Sequence, residues 1–158
     1  MPHTRGLDIR IRTGTREDLS AIVRLLADDE LGAKREIVSE PLARVYADAF
    51  DAMSAQTGNE LIVAESAGEV VGCLQLTVIP GLSRAGMMRG TIEGVRVSSR
   101  HRGQHIGELL MRAAIDRSRD LGCGLVQLTT DRTRVDAQRF YERLGFEPSH
   151  VGMKLTLR

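Results

Sequence analysis

Cysteine is scarce in this chain. Cys73 and Cys123 are the only two, and neither stands in a CxxC pair or a Cys/His cluster. A disulfide framework and a structural zinc site are therefore excluded, no metal is expected, and a reducing compartment, the cytoplasm, is the expected location. An excess of charge of either sign is also missing. Lys and Arg number 22 against 21 Asp and Glu, a formal net charge of +1, so no global field draws the protein onto nucleic acid or an anionic membrane, and any anion it binds must be held locally. Long hydrophobic runs are absent as well. The longest, Val70 to Ile79, is interrupted by Gly72, Gln75 and Thr77 and falls well short of the ~20 residues of a spanning helix. The opening Met-Pro-His-Thr-Arg-Gly-Leu-Asp lacks the apolar centre of a secretory signal. With no Pro/Ser-rich linker and no repeat of fixed period, the chain reads as a loose tail over residues 1–6 and one domain over 7–158.

What is present is a globular composition, 42% hydrophobic over 158 residues, enough for a core without covalent staples. Leu7, Ile9 and Ile11 alternate with polar residues as one face of a strand. Thr15-Arg-Glu-Asp18 is a capping box with Asp in place of Glu, and it opens a helix with an apolar stripe of Leu19, Ile22, Val23 and Leu26. A second helical pattern runs from about Pro41 to Ala55, with Pro41 in its first turn. Leu61–Glu65 and Val70–Ile79 are β runs joined through Ser66-Ala-Gly-Glu69, a hairpin signal. Thr91–Val97 is a further strand, and Gly94 inside it marks a bulge or a close backbone approach. A helix from Gln104 to Leu121, a strand from Leu125 to Thr130, a short helix through Ala137, Phe140, Tyr141 and Leu144, and a last strand from Val151 to Leu157 complete the pattern. The expected fold is α/β, or α+β by taste: a mixed, mostly antiparallel central sheet flanked by helices. Strands ending at Val97 and beginning at Leu125 are expected as parallel neighbours across a right-handed crossover.

The most informative stretch is Val95-Arg-Val-Ser-Ser-Arg-His-Arg-Gly-Gln-His-Ile-Gly107, a strand running through a cationic turn into the long helix. Helix N-termini present free N–H groups and partial positive charge, which favours phosphate there. A solvated basic turn whose glycines only let the chain bend is the alternative for the same residues. Two other phosphate motifs fail. Gly81-Leu-Ser-Arg-Ala-Gly86 has Walker A spacing, but Met87 and Met88 replace the Lys and the Ser/Thr. Gly122-Cys-Gly124 precedes a strand and lacks the third glycine of a dinucleotide fingerprint.

The turn Arg102-Gly-Gln-His-Ile-Gly107 resembles the Arg/Gln-x-x-Gly-x-Gly/Ala loop of the GNAT superfamily of acyl-CoA-dependent N-acyltransferases, with His105 where that family usually has Gly. Ala137-Gln-Arg-Phe-Tyr-Glu-Arg-Leu-Gly-Phe146 is similar to the family's late Ala-x-x-x-Tyr-x-x-x-Gly-Phe helix, with Arg134 where an upstream Asn is usual. The opening Ile-Arg-x-x-Thr-x-Glu-Asp-Leu fits too, so the resemblance covers most of the chain.

The resemblance implies acetyl transfer from acetyl-CoA to an amine by direct attack in a ternary complex. Such a reaction needs bound CoA, a neutral amine, a donor to the tetrahedral oxyanion and a proton for the leaving thiolate. By resemblance, the N–H groups of Arg102, Gly103, Gln104, His105, Ile106 and Gly107 hold the pyrophosphate. The pantetheine then runs like an extra strand beside Val95, Arg96 and Val97, and the Val95 N–H is the candidate oxyanion donor. Glu93 is the candidate base, grouped with Thr91, Val95 and Val97 if the pleat is regular; a Glu paired with a nearby Arg is its alternative. Tyr141 is the candidate acid, and plain core packing is its alternative. Arg134 is a candidate contact to a CoA phosphate or pantetheine oxygen, or else a surface Arg at a helix start. Asp28, Asp29, Glu30 and Tyr46 belong to the region that helps form the acceptor side in the family. A homodimer through the last strands fits the family. The acceptor amine stays open, as do a longer acyl-CoA and a CoA-binding module without turnover.

Overall fold

The computed structural model describes residues 8–157; the expected tail and Leu7 lie outside that range. Five strands, β1 (Ile9–Thr13), β2 (Asn59–Ser66), β3 (Glu69–Ile79), β4 (Arg89–Val97) and β5 (Leu125–Leu128), lie side by side in chain order. The first three pairings are antiparallel, and β4 with β5 is parallel, as the crossover through a long helix requires. The helices are α1 (Leu19–Leu26), α2 (Arg44–Ala55), the single turn α3 (Ser83–Gly86), α4 (Ile106–Asp120) and α5 (Val135–Arg143).

The period-two alternation of β2 divides the core. Ile62 and Ala64 join Leu74, Leu76 and Ile92 beneath Ile106, Leu110, Met111 and Ala114 of α4. Leu61 and Val63 join Cys73 on the other face, beneath Leu19, Ile22 and Leu25 of α1. Burying both faces of one sheet stabilises the fold more than either face alone supplies. In the β2–β3 hairpin, Ala67 and Gly68 both have positive φ, 49° and 81°, the pair that a two-residue turn matched to the strand twist demands.

Several boundaries differ from expectation, among them the start of α4 at Ile106 in place of Gln104 and of β4 at Arg89 in place of Thr91. Arg44 opens α2, leaving Pro41 ahead of its first turn, and α5 already begins at Val135. β5 stops at Leu128, where its pairing with β4 ends. The expected strand from Val151 to Leu157 does not form: these residues carry no strand structure and no sheet pairing. Their alternation is real, with Val151, Met153, Leu155 and Leu157 between 79% and 91% exposed, but alternation supplies a face and not a partner.

The bulge expected at Gly94 is present. Between Cys73 and Gln75 the β3–β4 register slips by one residue, and Gly94 sits at φ +62°, a conformation that disfavours a Cβ. The slip reverses the facing of the strand. Before it, Glu93 stands opposite Gln75 while Ile92 enters the α4 core; after it, Arg96 stands opposite Cys73 on the α1 face and Val95 and Val97 pack with the α4 core.

At the start of α1 the capping box is made by a carboxylate. Asp18 Oδ2 accepts the Thr15 N–H at 2.8 Å, and Arg12 grips the same carboxylate through Nη1 at 2.7 Å and Nη2 at 2.9 Å. Arg12 also donates to Glu65 on β2 at 2.7 Å, so one guanidinium ties the helix cap to the sheet. The Arg12 hydrogen bonds hold the Asp18 carboxyl below its usual range, against the opposing effect of burial. A depressed carboxyl pKa contributes stability that is complete above the unfolded value and lost as pH falls through the folded one. Asp18→Asn is expected to lower unfolding stability by about 2 kcal/mol at pH 7. The difference from wild type, followed by urea denaturation, narrows as pH drops below about 4.

Candidate active site

A groove of about 990 Å³ lies where β4 and β5 part. The two strands pair only from Arg89 to Ile92 against Leu125 to Leu128, so Val95 and Val97 pass beyond the end of β5 and become its wall. Arg102, Gly103, His105 and Gly107 of the turn form one end, and Phe140 and Tyr141 of α5 lie opposite. Among the described residues, no acceptor within the chain meets the N–H groups from Gly103 to Gly107, and α4 has no side-chain cap. These orphan donors at a helix start fit a diphosphate, and the exposed β4 edge fits an extended amide-bearing chain.

His105 takes the left-handed conformation, φ 61° and ψ 14°, which is why glycine serves well there; the conformation costs a residue with a Cβ about 1 kcal/mol. Its ring is 82% exposed, with Nδ1 3.5 Å from Glu108 Oε2, at the rim of the groove that both residues line. Ile106, the first helical residue, is buried in the α4 core and anchors the turn. Gln104 is exposed and absent from the groove wall.

Tyr141 lines the groove and is held by aromatic contacts, with ring centroids 5.3 Å from Phe140 and 6.1 Å from Phe146. Burial pushes its phenol pKa upward, with Arg96 and Arg134 opposing the rise. The proton is thus retained across the ordinary pH range.

Glu93 is not in the groove. The bulge separates it from Val95 and Val97 and correctly overrides the regular-pleat grouping. It is exposed, on the α1 face, and no arginine pairs with it among the described residues. The Arg96 side chain shares that face, while its backbone remains part of the β4 edge. Arg134 caps α5 and reaches back to Asp29 Oδ2 at 2.5 Å; Arg96 Nε lies 3.5 Å from the same oxygen. Gly32 donates its N–H to Asp29 Oδ1 at 2.5 Å. Burial opposes ionisation of Asp29, but the Gly32 hydrogen bond and the two guanidiniums outweigh it and hold the pKa below the usual value. Asp28 accepts the Ser99 N–H at 3.1 Å. Asp28 and Asp29 are therefore engaged within the chain, while Glu30 is exposed. Tyr46 is engaged too, donating to Glu36 at 2.7 Å and accepting the Ile37 N–H at 2.7 Å.

Sequence reasoning missed the far end of the groove, where Arg112, Arg119 and Arg143 line it with Asp116 and Asp136. The helical spacing of Arg112 and Arg119 was the available signal. It also missed the polar sheet face on the α1 side, where Gln75 Nε2 donates to Asn59 at 2.9 Å and Gln127 Nε2 donates to Thr91 at 3.2 Å. Gln75 and Thr77 interrupting an apolar run announced that face.

Burial pushes the Cys73 thiol up to about 12 and raises Cys123 as well, so neither supplies a ready thiolate. Among the described residues no group of three or more His, Cys, Asp or Glu is placed to hold a metal.

The family model described as Acetyltransferase (GNAT) family matches residues 21–146, and the chain belongs to that family. It is 31% identical to aminoalkylphosphonate N-acetyltransferase of Salmonella typhimurium, over 89% of this chain and 86% of that protein. Among solved structures, one described as a transcriptional regulator from Bacillus halodurans C-125 is 50% identical with a TM-score of 0.92, covering 94% of this chain and 99% of that one. An acetyltransferase of Trypanosoma brucei is 30% identical with a TM-score of 0.76, covering 95% and 100%.

Replacing His105 by Gly removes the left-handed strain. His105→Gly is expected to raise stability by about 0.5–1 kcal/mol. CoA affinity measured by calorimetry should stay within about threefold of wild type or tighten, because the open N–H groups of the turn are retained.

Proposed function

We propose that the protein is an N-acetyltransferase that moves an acetyl group from acetyl-CoA to a primary amine by direct attack in a ternary complex. The observation that carries this reading is the run of unbonded N–H groups from Gly103 to Gly107 beside a β4 edge that β5 has left free. The turn would hold the pyrophosphate, with Arg102 adding charge, and Val95, Arg96 and Val97 would pair with the pantetheine amides. That route aims the thioester at the gap where β4 and β5 separate. The Val95 N–H at the bulge is the donor to the oxyanion, and Arg134, whose charge opposes the rise of the Tyr141 pKa, would act on the same region.

A primary ammonium has an ordinary pKa near ~10 and must lose a proton before it attacks. Glu93, exposed on the face opposite the groove, takes that proton through water. Tyr141, kept protonated by burial, returns one to the departing thiolate. The inert thiols favour direct attack over a covalent acyl-enzyme.

One domain in the cytoplasm suits this role; among the described residues no helix is long and apolar enough to cross a membrane. We place a homodimer contact at residues 151–157. Their apolar row is exposed, and β5 is paired along one edge only, so a second copy offers the missing partner. Deleting residues 151–158 should shift the protein to a monomer in sedimentation equilibrium.

A CoA-binding module without turnover is the competing reading, favoured by the solvent-facing, unpaired Glu93. Thiol release from acetyl-CoA across a panel of amines, with product mass, separates the two: binding without release on any amine would favour the module. Tyr141→Phe is expected to lower kcat by about 10²–10⁴-fold while the Kd for CoA stays within threefold; an unchanged kcat removes Tyr141 from the mechanism. In wild type the alkaline limb of kcat should lie above the ordinary tyrosine range, since the Tyr141 pKa is raised, and that limb should be missing in the variant.

A further inference from the structure

The bulge at Gly94 turns Arg96 onto the face that Glu93 occupies, and Asp29 gathers Arg96 and Arg134 around one carboxylate at 3.5 and 2.5 Å. The balance of this cluster is one negative charge against two positive. Asp29 is further committed to the Gly32 N–H, and Arg96 Nε, though buried, has no hydrogen-bond acceptor; its 3.5 Å approach to Asp29 is an ion pair without a hydrogen bond. Burial raises the Tyr141 phenol pKa, and both guanidiniums oppose that rise. Two guanidiniums thus share one carboxylate on the far side of the strand gap, the face on which Glu93 also stands.

Resting on the acetyltransferase reading, we propose that the acceptor is a small amine carrying an anionic group, a carboxylate, phosphonate or phosphate, which Arg96 and Arg134 bind while the amine end lies toward Glu93. The layout suits such a molecule at both ends. A guanidinium presents a planar fork of donors that matches two oxygens of an acid group; Arg96 Nη1 donates to the Val95 carbonyl at 2.9 Å, which leaves Nη2 for the acid. Glu93 and Arg96 flank the bulge on a common face, so opposite charges on the acceptor meet opposite charges on the strand. An acceptor bearing two ammonium groups would set its second cation against two arginines. An uncharged amine of equal length would leave the Arg96 donor unmet, and a site built to hydrogen-bond a substrate group discriminates strongly against analogues that lack it.

The test compares kcat/KM of the wild-type protein for 2-aminoethylphosphonate and β-alanine with that for propylamine and 1,3-diaminopropane, at saturating acetyl-CoA. At least one acid-bearing amine should exceed both others by about tenfold or more, in line with a hydrogen bond to a charged group. Ethylphosphonate or propionate, which have the acid and no amine, should inhibit competitively against the amine and not against acetyl-CoA. Arg96→Gln should reduce the preference to within about threefold, and Arg96→Glu should turn it toward the diamine. Equal or better use of propylamine or the diamine by wild type overturns the proposal while leaving the acetyltransferase reading intact. Should no amine be acetylated, the acetyltransferase reading falls by itself. Calorimetric binding of ethylphosphonate to wild type, weakened about tenfold in Arg96→Gln, would then still support the anion site, and its absence would refute it.

Discussion

A single extra residue in β4 governs the rest of the site. Were the β3–β4 register unbroken, Val95 and Val97 would continue on the face of Glu93, and the edge beyond β5 would present the wrong side chains to the groove. The slip at Gly94 puts the apolar valines on the α4 side and the arginine on the α1 side. It also coincides with the point where β5 stops following β4. One backbone irregularity thus creates a wall, an opening and a change of polarity within five residues.

Charge in this molecule is local in the same sense. A nearly neutral chain concentrates cations in two places, along the α4 groove and at Asp29, and in both they are partly offset by acids within the chain. The offset is what lets guanidiniums sit half-buried without a ligand, because an unpaired buried charge would destabilise the fold. The helix start needs no such device, since its N–H groups carry only partial charge and can remain open.

Much of this was legible in the residues. Period-two and period-3.6 patterns placed all five observed strands and the four longer helices, because each buries one face against a core and the pattern records that face. Gly94 announced the bulge through its lack of a side chain. The turn from Arg102 to Gly107 read as a candidate anion site through its spacing, and its N–H groups from Gly103 to Gly107 are open. What was not legible depends on partners distant in sequence. Asp29 read as part of an acidic run, and only the fold shows it occupied by residues 67 and 105 positions further along the chain. The regular-pleat grouping of Glu93 failed because a bulge reverses facing, and sequence marks the bulge without saying where the strand points afterward. Residues 151–157 have the alternation of a strand, but pairing is a property of two segments, and among the described residues none pairs with them.

Because the sheet is covered by α4 on one face and α1 on the other, the two reactants of the proposed transfer occupy separate sides of a wall and meet only through the slit between β4 and β5. Neither has to pass through the other's berth. On that reading the donor would dock or depart while the acceptor stays seated, and the reverse, with traffic on each side left to its own concentration.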